Sequence, residues 1–158
     1  MHEKYIEFDD NLLIRKKRCV ELAASMLLND IEKISYKLIS ICNSLKKSFN
    51  EYSCCSLSLY NIADISADTA IVSRIGIKYN ITDKSLKLHY YDYMNNEYDL
   101  KLPVLNNDQY SKDILQLEED YNILQDVLNL LESDICKKEI KDAILGTYNM
   151  CSRFIEVK

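Results

Sequence analysis

Only two glycines and one proline punctuate the 158 residues, tryptophan is absent and histidine occurs twice. So little glycine leaves no room for a glycine-built phosphate loop, and so little proline favours long unbroken elements. Two histidines mean that any histidine triad or histidine-rich metal site would have to be built around His89. The longest apolar run, Leu22 to Leu28, is far too short to cross a bilayer, and MHEKYIEFDD opens with acidic residues and no apolar core. A chain made and kept in the cytoplasm is the expectation. The six cysteines could form three bridges, but four sit on apolar helical stripes, where a reduced thiol is the usual occupant of an intracellular chain.

What is present is ordinary for one globular domain, with 47% hydrophobic and 28% charged residues and a net charge of −5. From Leu12 to Phe49 nothing breaks a helix, and Asp9, Asp10 and Asn11 offer amino-terminal caps. Val20, Ala24, Leu27, Ile31, Ile34, Leu38, Ile41 and Leu45 alternate steps of four and three, the seam of a coiled coil or tight helical hairpin.

The pattern then changes to period two. Ile71, Ser73, Ile75, Ile77, Tyr79 and Ile81 mark one strand face, Leu86, Leu88 and Tyr90 a second, and Tyr98, Leu100, Leu102 and Val104 a third, with Cys55 to Ile62 as a further short strand. Turns are expected at Thr82-Asp83-Lys84-Ser85 and Asn95-Asn96-Glu97. Of the two registers these turns allow, the one setting Leu102 opposite Tyr90 and Val104 opposite Leu88 keeps one face apolar and is preferred. Helical spacing returns with Tyr110, Ile114, Leu117, Tyr121, Leu124, Leu128, Leu131 and Ile135. A new stripe then begins at Cys136, Ile140, Ile144, Tyr148 or Thr147, Cys151 and Ile155, with Ser133 or Asp134 as its cap.

The expected fold is α+β: a long amino-terminal helix (residues 12–49), a three- or four-stranded antiparallel meander (55–104) and two carboxy-terminal helices (107–157). Residues 12–49 carry eight basic and three acidic residues, whereas 107–134 carry eight acidic and one basic. Opposite charges favour packing the two long helices as an antiparallel hairpin within one chain, because in a homodimer like charges would face each other. A dimer of two such hairpins, as a four-helix bundle, stays open. Over Leu12 to Asp134 the element order resembles that of prefoldin subunits, although the helix after Ile135 departs from it.

No convincing catalytic set emerges. His89 reads as a surface histidine on a strand, and adjacent Cys54-Cys55 lacks zinc-ligand spacing. Asp64-Ile65-Ser66-Ala67-Asp68-Thr69 is similar to the cation loop of integrin-type domains, but that family's doubly wound sheet is missing, so a polar turn is the expectation. Ser44-Leu45-Lys46-Lys47 matches the SxxK of serine acyl-transferases without companion motifs. Arg15-Lys16-Lys17-Arg18 could bind nucleic acid, but reads first as a solvated helix end.

The outward sheet face is the expected working surface, because Arg74, Lys78, Lys87, His89, Tyr91, Tyr93 and Lys101 should share it. Tyrosines among cations suit a protein interface, and alternatively a platform on which nucleic-acid bases stack. The expected function is therefore a non-enzymatic interaction module that docks on a larger partner. It would be an adaptor, chaperone-like subunit or inhibitor of the kind viruses and mobile elements encode, with no metal or cofactor; a nucleic-acid-binding domain is the alternative.

Overall fold

The first helix, α1, runs unbroken from His2 to Tyr52. It starts well before the expected caps, because Asp9, Asp10 and Asn11 terminate a helix only where the backbone leaves it, and the residues before them are themselves helix-compatible. At 1.5 Å per residue its 51 residues span about 77 Å. This computed structural model describes the backbone of residues 2–62, 71–100 and 113–157, and the side chains of 13–59, 71–100 and 113–150.

Four strands follow, β1 (Leu57–Ile62), β2 (Arg74–Asn80), β3 (Ser85–Tyr91) and β4 (Glu97–Asp99), hydrogen-bonded in the order β1-β2-β3-β4. All three pairings are antiparallel, with an irregularity in β1 between Leu59 and Ile62. Leu59 opposes Ile77 and Ile77 opposes Leu88, so the apolar alternation falls on one face. The β2–β3 turn uses Lys84 at φ 56°, and the carboxylate of Asp83 accepts the Ser85 N–H.

The β3–β4 register corrects the sequence expectation. Tyr98, not Leu102, opposes Tyr90, and the Leu100 N–H donates to the Leu88 carbonyl, so the pairing is shifted by four residues. An even shift keeps every side chain on its face, so hydrophobic alternation cannot tell the two registers apart. The turn chemistry decides. Asp92 Oδ1 accepts the N–H groups of both Met94 and Asn96, and Asn95 takes the left-handed conformation at φ 63°, closing a loop of Tyr93, Met94 and Asn95. Tyr98 also donates its hydroxyl to Asp92 Oδ2, while its ring stacks on Tyr90 at 5.1 Å.

Two helices complete the chain, α2 (Ile114–Glu132) and α3 (Asp134–Val157). Asp113 caps α2 by accepting the Gln116 N–H at 2.8 Å. Ser133 is the joint: its hydroxyl donates to the Leu130 carbonyl and accepts the Cys136 N–H, ending one helix and starting the next. α1 packs along α2 as the hairpin. Ile31, Ile34 and Leu38 join Leu117, Leu124, Leu128 and Leu131 in one core, which continues into the sheet through Ile75, Ile77 and Leu88. Phe49 stacks on Tyr79, whose hydroxyl donates to Asn50 Oδ1, fixing the end of α1 on β2.

A carboxyl group sits inside this packing. Asp126 is buried on α2, where its Oδ2 accepts the Val72 N–H at 3.4 Å and ties the approach to β2 onto the helix. Burial lifts the carboxyl above its ordinary range, against the lowering effect of the Val72 and Ile71 N–H groups. The folded chain therefore holds this proton more tightly than the unfolded one. The resulting stability is complete below the ordinary carboxylate range and is lost as pH rises through the raised folded value. Asp126→Asn keeps an acceptor and removes the titration. In parallel melts, the midpoint of Asp126→Asn relative to the natural chain should therefore climb from acid to neutral pH; a constant offset would contradict the raised value.

Candidate interaction surfaces

The register places Arg74, Lys78, Lys87, His89 and Tyr91 on one face of the sheet. Lys78 and Lys87 oppose each other directly and are exposed, making a small cationic spot. Arg74 lies over its cross-strand neighbour Tyr91, its guanidinium carbon 4.3 Å from the ring centroid. His89 and Tyr91 are each only 7% exposed, so neither presents a ring face to a ligand. Tyr93 stands at the tip of the β3–β4 turn and is 60% exposed, whereas Lys101 lies outside the described residues. Five of the seven expected residues thus share a face, but its exposed part is lysine rather than tyrosine.

His89 corrects its reading as a surface histidine. Its Nδ1 lies 2.7 Å from Asp99 Oδ1 on the adjacent strand and 3.5 Å from Glu97 Oε1. The short contact lacks the alignment of a hydrogen bond, and neither ring nitrogen has a hydrogen-bond partner among the described residues. Asp99 reaches His89 because the corrected register sets the two residues directly opposite, a pairing that neither expected register contained. Among the described residues no three histidine, cysteine or carboxylate side chains gather to hold a metal. The Asp64–Thr69 loop lies outside the described residues.

A second surface was not expected. Where α3 departs from α2 at Ser133, a groove of about 720 Å³ opens between α1 and α3. Leu131 and Ile140 are buried at its base, Ile41, Leu45 and Ile144 are half-buried along it, and Leu145 is 48% exposed. Tyr52 and Tyr148 close one end, their rings in edge contact at 5.6 Å, and next to them the Cys54 thiol meets the Thr147 carbonyl. The charged groups at the rim are Lys137, Lys141 and Glu132. Lys137 and Lys141 are four residues apart on α3, so both ammonium groups lie along one edge. A groove of this size, apolar inside and cationic at the edge, suits an amphipathic helix. The sequence signal was the change of stripe at Cys136, which implies that α3 leaves the α1–α2 seam; its consequence needed the angle between helices.

The third surface is the amino-terminal part of α1. Every residue from Leu13 to Leu22 is exposed, including Leu13 at 63%, Val20 at 49% and Leu22 at 64%. Exposure on all sides means that the helix here stands clear of its neighbours. The expected seam is therefore occupied only from Ala24 onward, where side chains become half-buried and then buried.

Among the described residues no helix is long and apolar enough to cross a membrane. The chain matches no family model, no curated protein and no solved structure with which it was compared.

Proposed function

We infer that the chain is a non-enzymatic interaction module whose α1–α3 groove takes an acidic amphipathic helix of a larger protein partner. The observation that carries this reading is the groove itself: an apolar trough of about 720 Å³ with exposed Leu145 and Tyr148 and two lysines on one edge. Exposed apolar surface of this kind, rimmed by polar groups, is costly to leave wet and marks a binding site. Two ammonium groups against one carboxylate at the rim favour a partner helix with glutamates beside its apolar stripe. The sheet's Lys78–Lys87 spot lies apart from the groove's lining and would contribute only screened charge.

The test is a titration of the full chain with two synthetic helical peptides that share a leucine stripe, one with glutamates and one with lysines on its polar face. The glutamate peptide is expected to bind in the micromolar range and the lysine peptide at least about tenfold more weakly. Lys137→Glu with Lys141→Glu should reverse that order. Equal affinity for both peptides, no binding of either, or competition by a single-stranded oligonucleotide would contradict the reading.

A further inference from the structure

The exposed stretch of α1 from Leu13 to Leu22 has a different complement. A lone helix exposed on every side gains nothing from packing and is marginal in water, yet this one carries Leu13, Ile14, Val20 and Leu22 on its surface. Its charges are segregated. Residues 3–10 hold Glu3, Glu7, Asp9 and Asp10 against Lys4, whereas residues 15–22 hold Arg15, Lys16, Lys17 and Arg18 against Glu21. Because α1 begins at His2, both blocks lie on one continuous helix, with Leu12 and Leu13 between them.

We propose that this part of α1 is a homodimerisation arm that pairs antiparallel with the same segment of a second copy, about a two-fold axis near Leu13. That axis lays the acidic block of each copy along the basic block of the other, so the attraction occurs twice per dimer. Parallel pairing would instead set four cations against four cations and is disfavoured by the same charges. The expectation that like charges face each other in a homodimer was drawn for pairing along residues 12–49, and the arm is a different, shorter contact. In that arm, residues 3–10 set acidic groups against the basic block of the other copy. The contact is isologous and closes on itself, so it yields a dimer rather than a fibre. It also leaves the α1–α3 groove of each copy open, presenting two grooves on one particle.

Sedimentation equilibrium of the full chain tests this directly. At low salt the natural chain is expected to be dimeric at about 100 μM, with salt weakening the association. Changing Arg15, Lys16, Lys17 and Arg18 to Glu should give a monomer, as should changing Glu3, Glu7, Asp9 and Asp10 to Lys. Mixing the two variants should restore a dimer containing one copy of each. Since residues 13–22 stand outside the core, the variant changed at Arg15, Lys16, Lys17 and Arg18 should keep the thermal midpoint of the natural chain, and a thermal melt of each variant checks folding. A natural chain that stays monomeric at that concentration overturns the proposal. So does a dimer that survives either reversal, or a mixture that forms no mixed dimer; these outcomes assign association to another surface or to a different partner.

Discussion

Phe49→Ala is expected to cost about 3 to 5 kcal/mol of stability and to lower the thermal midpoint by about 10 °C. Phe49 is fully buried where two elements meet: near the end of α1 it stacks on Tyr79 of β2 at 5.4 Å, and the next residue, Asn50, accepts the Tyr79 hydroxyl at 2.6 Å. Truncation leaves a ring-sized cavity and removes the partner that orients Tyr79, so the helix end and the sheet loosen together. Phe49→Leu fills much of the same volume and should cost about 1.5 kcal/mol or less. Chemical denaturation of both variants measures the difference. A loss under about 1 kcal/mol for the alanine variant would mean that α1 and the sheet are not joined at this point.

The second large effect is chemical. Cys136, in the first turn of α3, is fully buried, and burial pushes its thiol up to about 12, with Glu139 adding to the lift and Lys137 opposing it. At pH 8 that leaves only a trace of thiolate, so attack on a disulfide reagent should be at least about a hundredfold slower than at an exposed thiol. Cys19 is exposed on α1 and, at protein concentrations too low for α1 to pair between copies, provides the comparison. Two variants, one retaining only Cys136 and one only Cys19, should therefore differ by that factor in a stopped-flow thiol assay, and the difference should vanish in denaturant. Similar rates in the folded state would show that the start of α3 is not packed on the core. Cys19, Cys42, Cys54, Cys55 and Cys136 are all free thiols in the structure.

The helices and strands were largely legible because burial imposes a period. Ile31, Ile34 and Leu38 on α1 and Leu117, Leu124 and Leu128 on α2 are both the expected seam and the observed core. Ser133 was legible too, since a hydroxyl able to accept an N–H at the change of stripe is a cap signal. The β3–β4 pairing was not. Tyr90 finds an apolar partner in either register, and the choice rests on the side chain of Asp92 in the turn rather than on the strands. His89 followed from that error, because only the true register brings Asp99 against it and shows it buried. The groove depends on where α3 points after Ser133, and Thr147, not Tyr148, takes the buried position on its stripe. Helical spacing allows either residue there; the packing angle selects one and leaves the tyrosine at the groove's end.

That geometry makes the groove the surface on which the functional reading stands. Residue-resolved amide chemical shifts of the full chain, recorded as the glutamate-faced peptide is added, test it most directly. The expected result is a contiguous set of saturable shifts at Ser48, Tyr52, Ile140, Ile144, Leu145 and Tyr148, with Lys78 and Lys87 on the sheet unmoved. Shifts centred on Lys78 and Lys87 with the groove silent, or no saturable shifts at all, would contradict it.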